Sequence, residues 1–134
     1  MASIHKEIAI NANADKVWAV IRDIGAVHKR LVPGLVTDVR LEAEARVVTF
    51  ADGMAVRELI VDIDDERRRL AYAAAGDMFK HHNASMQVMA EGQDRCRMLW
   101  ITDLLPDEAA EAVNKLIDEG AAIMKRTLER ENAV

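Results

Sequence analysis

Glu58, Tyr72 and His82 are the side chains of this sequence best suited to hold or move a proton among apolar neighbours. Glu58 interrupts an apolar run in GMAVRELIVDIDDERRRLAY, residues 53–72. A carboxyl held away from water is a candidate general acid or base. Alternation leaves its direction open. Positions 54, 56, 58 and 60 read Met, Val, Glu, Ile, and positions 55, 57, 59, 61 and 63 read Ala, Arg, Leu, Val, Ile. Glu58 therefore faces either the interior or solvent. Tyr72 shares a strand face with Leu70, as a core aromatic or as a free hydroxyl. His81 and His82 are adjacent on a strand, so they point to opposite faces and do not chelate one metal together. With four histidines and one cysteine in the chain, no zinc site and no other metal is expected. His82 falls on the apolar parity of its strand, with Ala84, Met86 and Val88.

Other polar groups read more simply. The run from Asp62 to Arg69 predicts a solvated hairpin tip, with acids on one arm facing arginines on the other. His28, Lys29 and Arg30 form a solvated helix face, or an entrance patch for an anionic group. Asp103 shares parity with Leu99 and Ile101, at the end of a strand. Trp100 lies on the other parity with Met98, and is expected on the outer sheet face or a partner surface. Met54, Met86, Met89, Met98 and Met124 read mostly as core. Cys96 reads as buried and inert. No nucleophile elbow, phosphate-binding loop or dinucleotide fingerprint is present, and no cofactor is expected.

The elements that must position these groups follow from periodicity. IHKEIAI (4–10) predicts a first strand. Asn11 and Asn13 offer caps to a helix over ADKVWAVIRDIG, ended by Gly25. A second short helix over about 26–31 stops before Pro33-Gly34. Strands follow over 35–42, 44–51, 54–63, 67–75, 81–90 and 96–105, with Asp52-Gly53 a tight-turn signal. Leu35, Val39 and Leu41 are expected to share one face. Pro106 opens a helix of roughly 24 residues, about 36 Å long. Its stripe runs through Ala109, Val113, Leu116, Ile117, Gly120, Met124 and Leu128. Gly120 inside that helix costs up to about 1 kcal/mol relative to alanine, which points to a close approach or a need for room.

The totals narrow the class. A chain of 134 residues favours one domain, 1–134. At 51% hydrophobic it has a core to bury, and no apolar run nears the roughly 20 residues of a membrane span. A net charge of −5 argues against nucleic acid as partner. The start MASIHKEIAI has no signal-peptide pattern, and one cysteine forms no internal disulfide. A cytoplasmic location is expected. Consecutive strands joined by tight turns make the sheet antiparallel, and one long helix buries its face.

This order resembles the SRPBCC superfamily, the START, Bet v 1 and polyketide cyclase/dehydrase group. The resemblance spans nearly the whole chain. It is carried by Ala14-Asp15-Lys16-Val17-Trp18 and by Pro33-Gly34. Gly53 to Glu58, Asp64-Asp65-Glu66-Arg67-Arg68 and Tyr72 carry it further, as do Trp100, Leu105-Pro106 and the helix with Gly120. It implies an α+β helix-grip fold: a curved, seven-stranded antiparallel sheet around a long C-terminal helix, with two short helices between strands 1 and 2. A cavity between sheet and helix is implied, for a small apolar or amphipathic molecule with one polar or anionic end. The implied lining is Met54, Val56, Glu58, Tyr72, Ala84, Met86, Leu99, Ile101, Val113, Ile117, Gly120 and Met124.

The hairpin also resembles that of the plant abscisic-acid receptors, a branch whose matching glutamate enters the cavity. The Gly-Leu-Pro gate of that branch is absent before Gly53, where VVTFAD stands, and the latch segment reads GDMFK (76–80). Hormone sensing and phosphatase control are therefore not expected. The expected function is binding of a lipid, polyketide or aromatic ligand. The alternatives are a polyketide cyclase/dehydrase-like enzyme using Glu58, His82 or Tyr72, and a protein-interaction module. The expected state is monomer or homodimer.

Overall fold

The computed structural model describes residues 1–132; Ala133 and Val134, the end of the expected domain, lie outside the described residues. Strand β1 (Ala2–Ile10) leads into helix α1 (Ala14–Ile21), and a π-helical turn follows at Val27–Leu31. Six strands come next: β2 (Val36–Glu42), β3 (Ala45–Phe50), β4 (Ala55–Asp64), β5 (Arg69–Ala75), β6 (His81–Ala90) and β7 (Cys96–Leu105). A 3-10 turn (Asp107–Ala109) precedes helix α2 (Ala110–Glu131). The sheet order is β1-β7-β6-β5-β4-β3-β2, and every neighbouring pair is antiparallel. This is the helix-grip arrangement, with α2 held on the inner face of a seven-stranded sheet.

Local chemistry sets the helix ends. Asn13 caps α1, its side-chain oxygen accepting from the backbone N–H of Asp15 at 3.0 Å and of Lys16 at 3.2 Å. Helix α1 is shorter than its periodicity predicts and stops at Ile21. The second short helix is a π turn, closed by Val32 N–H donating to the Val27 carbonyl at 2.9 Å. Such turns recur at functional sites. Here it turns Val27, Leu31 and Val32 toward the interior. Pro106 opens the 3-10 turn rather than α2 itself, so Asp107, Glu108 and Ala109 precede the long helix.

Helix α2 buries Ile117, Gly120, Ala121, Met124, Thr127 and Leu128. Each large apolar side chain so buried contributes roughly 1.5–3 kcal/mol. An ion pair and a hydrogen bond tie it to β1. Lys6 reaches Asp118 at 2.8 Å, and Lys125 Nζ donates to the Ala9 carbonyl at 2.6 Å.

Two bulges settle strand faces that alternation leaves open. Val61 is an extra residue between Ile60 and Asp62, so Ile60 and Ile63 both turn inward. Val56, Glu58 and Ile60 therefore form the inner row of β4, and Leu59 and Val61 stay exposed. A second bulge between Val36 and Asp38 adds Val36 to the predicted row of β2, and Val39 and Leu41 pair with Val48 and Arg46 of the inner face. Leu35 lines the interior, but Leu41 is 57% exposed at the sheet edge against Gly25.

The charged tip of the β4–β5 hairpin is more than solvated surface. Only Asp64–Arg67 pairs within it, at 2.9 Å. Asp65 instead accepts from Trp18 Nε1 at 2.9 Å and Arg22 Nε at 2.7 Å, and Arg68 Nε donates to Asp15 at 2.9 Å. The tip thus clasps α1. The Arg22 hydrogen bond, and then that of Trp18, holds the Asp65 carboxyl below its ordinary pKa.

Candidate ligand cavity

A cavity of about 120 Å³ lies between the inner sheet face, α2 and the π turn. Val27, Leu31, Val32 and Leu35 close it from the connection after α1. Val113, Leu116, Ile117, Gly120 and Met124 close it from α2. The sheet contributes Val48, Phe50, Met86, Trp100 and Thr102, together with Arg46, Glu58, Tyr72 and His82. A groove of about 300 Å³ adjoins it and reaches the surface past Met54, Val56, Met78 and Phe79. Phe50, Glu58, His82, Val113 and Leu116 line both spaces and form the neck between them.

The polar groups of the cavity are ordered against one another. Arg46 and Glu58 are cross-strand partners on β3 and β4, with Arg46 Nε donating to Glu58 Oε1 at 2.8 Å. Arg46 is 4% exposed. Its guanidinium carbon lies 5.3 Å from the centre of the Tyr72 ring, a cation–π contact, and its Nη1 donates to the Ile24 carbonyl at 3.4 Å. The Tyr72 hydroxyl accepts from Trp100 Nε1 at 3.1 Å, which leaves its own proton free to donate. Burial, then the charge of Glu58, pushes that hydroxyl above its ordinary pKa, so it stays protonated.

His82 is fixed in tautomer. Its Nδ1 accepts from the backbone N–H of Ala74 at 2.9 Å, so the proton resides on Nε2. Phe79 stacks 5.0 Å away, centroid to centroid. Burial, and then the neighbouring His81, holds the ring below the ordinary histidine pKa.

Residues 1–129 match the model of a protein family described as polyketide cyclase / dehydrase and lipid transport. The chain belongs to that family. The polyketide cyclase/dehydrase fold recurs in solved structures of low identity. XoxI from Bacillus cereus shares 17% identity at a TM-score of 0.85, with 96% of each chain covered. Norcoclaurine synthase from Thalictrum flavum, in complex with dopamine and hydroxybenzaldehyde, shares 19% at 0.74, over 99% of this chain and 89% of that one. The di-domain ARO/CYC BexL of the BE-7585A biosynthetic pathway shares 14% at 0.83, over 96% of this chain and 47% of that one. No curated protein matches the chain.

Within this polyketide cyclase/dehydrase fold, Glu58, Tyr72, Met86, Val113, Ile117, Gly120 and Met124 line the inner cavity. Val56 and Met54 line the outer groove instead, and Met54 is 41% exposed at its rim rather than core. Ala84 is buried beneath the cavity floor and does not line it. Leu99 and Ile101 are corrections: they lie on the outer face. The register pairs Met86 with Trp100 and Ala84 with Thr102, and cross-strand partners share a face. The inner row of β7 is therefore Cys96, Met98, Trp100, Thr102 and Leu104. Trp100, expected outside, stands inside at 9% exposure. Met89 is exposed rather than core. Asp103 sits on the outer face, where Ser3 donates to it. In the basic patch, Arg30 is engaged with Asp23 at 2.8 Å, and His28 and Lys29 do not line the cavity.

Sequence reasoning missed Arg46, Trp100, Thr102 and the π-turn residues. Arg46 carries a readable signal: it shares parity with Val48 and Phe50, an arginine on the apolar row of a strand.

Proposed function

We propose that the chain binds a small, largely apolar molecule with one polar end, in the cavity between the sheet and α2. The observation that carries this reading is the Arg46–Glu58 pair inside a mostly apolar enclosure. Such a pair contributes little net stability, because desolvation offsets its attraction. A few polar groups set in an apolar wall are what a ligand site needs for orientation. The inner cavity is below the roughly 300 Å³ at which small-molecule sites usually begin. Its ligand is therefore compact, or extends through the neck into the groove. The family description and the small molecules bound by norcoclaurine synthase support the same reading.

A second reading is an enzyme of the cyclase/dehydrase type. The observation favouring it is that a carboxylate, a protonated phenol and a neutral imidazole of fixed tautomer share one cavity wall. There Glu58, His82 and Tyr72 move protons on a substrate folded by the enclosure.

Native mass spectrometry of freshly purified protein, beside denaturing mass spectrometry, tests the binding reading. A reproducible excess mass that leaves on denaturation is expected, and its value defines the ligand class. Absence of any excess mass, with no binding of apolar probes, counts against it. A bell-shaped pH–rate profile lost on Glu58→Gln would instead favour the enzyme.

A further inference from the structure

Arg46, Glu58 and His82 are the side chains able to carry charge among the described residues that line the cavity and the groove. Two of them cancel, since Arg46 Nε is bonded to Glu58 Oε1 at 2.8 Å. The third is neutral, because the Ala74 N–H occupies Nδ1 and burial disfavours the imidazolium. The enclosure thus presents no net charge to a ligand.

We propose that the polar end of the ligand is an uncharged hydroxyl or carbonyl, and that Glu58 is the specificity-determining residue that excludes carboxylates and phosphates. This rests on the ligand-binding reading above. An entering carboxylate either displaces Glu58 from Arg46 or lies beside it as a second buried anion. Each outcome leaves one negative charge without a countercharge in a largely enclosed site. Among the described residues Arg46 keeps its Nη2 donors free, but its single positive charge is already neutralised by Glu58 and stacked over the Tyr72 ring, so a second anion gains no countercharge from it. A neutral hydroxyl meets complementary groups. Glu58 Oε2 accepts no hydrogen bond among the described residues. The Tyr72 O–H and His82 Nε2–H are donors without an acceptor among them. A ligand hydroxyl can donate to the first and accept from either of the others, and a carbonyl can accept from both donors.

The test is a matched pair of probes, 2-naphthol and 2-naphthoate, titrated by fluorescence into the full chain at pH 7.5. The wild type is expected to bind naphthol at least about tenfold more tightly. Glu58→Gln frees the Arg46 charge, and is expected to raise naphthoate affinity by about tenfold while weakening naphthol. Equal or tighter binding of naphthoate by the wild type overturns the inference and leaves the cavity reading standing. An unchanged ratio in a folded Glu58→Gln variant also overturns it. Failure of both probes to bind the wild type strikes the cavity reading, and this inference with it. The wild-type ratio decides alone should Glu58→Gln not fold.

Discussion

Arg46 and Glu58 face each other across β3 and β4, 2.8 Å apart, on the sheet face that meets α2. The loop between the strands decides this. A two-residue turn over Asp52 and Gly53 sets Ala51 opposite Met54, and so Arg46 opposite Leu59. The loop is three residues long, 51–53, with Phe50 N–H donating to the Met54 carbonyl at 2.8 Å. Gly53 supplies the positive φ of 90° that such a loop takes, and Asp52 accepts from Met54 N–H at 2.9 Å. One residue of loop length turns Glu58 inward.

Replacing Arg46 with Met leaves the Glu58 carboxylate beside the cavity without its partner. Urea unfolding is expected to show a loss of about 3 kcal/mol, and Arg46→Met with Glu58→Leu to recover most of it. A single variant as stable as the wild type would mean that the pair carries no such coupling.

Gly120 is the point where α2 passes Trp100. A Cβ built there meets Trp100 Cη2 at 3.3 Å and Cζ3 at 3.4 Å. Gly120→Ala is expected to be near neutral, the helix gain of up to about 1 kcal/mol offsetting the crowding. Gly120→Val is expected to cost about 1–3 kcal/mol and to shift the Trp100 indole N–H resonance, as the ring is pushed from the Tyr72 hydroxyl. A stabilised Gly120→Val with an unmoved resonance contradicts the close approach.

The His82 pKa is lowered in the folded state from an ordinary value of 6.5, so the native protein binds fewer protons there than the unfolded chain. Its contribution is neutral to stability well above pH 6.5. It becomes destabilising as pH falls through 6.5 toward the folded-state pKa. His82→Asn keeps an acceptor for the Ala74 N–H and removes the titration. Stability measured at pH 7.5 and 5.5 is expected to fall less in the variant than in the wild type. Equal falls would place the acid sensitivity elsewhere, in carboxylates such as Asp64 and Asp65, whose pKa values are also lowered.

Cys96 is 1% exposed, and burial raises its thiol pKa. Its reaction with a disulfide reagent is expected to be slow in the native state and fast in denaturant. Rapid native labelling would show that the end of β7 opens readily.

The residues themselves explain which parts of the site could be read early. His82, Ala84, Met86 and Val88 alternate with polar residues, so the face of β6 is legible. Strand β7 is apolar at the middle of both rows, Met98 and Trp100 against Leu99 and Ile101, and only Arg97 and Asp103 near its ends mark the outer row. Pairing with β6 across the loop of residues 91–95 supplies the missing constraint. The tip of the β4–β5 hairpin looks self-contained for a similar reason. Nothing in its local sequence says that α1 will stand within reach of Asp65 and Arg68.

What the sequence by itself determined is the set of elements, their order and the long gripped helix, because periodicity, turn residues and Pro106 act over a few neighbours. The tertiary structure alone decided which rows face inward, where Arg46 finds Glu58, and how Trp100 meets Gly120. Those outcomes depend on loop length, bulges and register, each of which reverses a strand face for a shift of one residue, a change too small to leave a mark on composition or pattern.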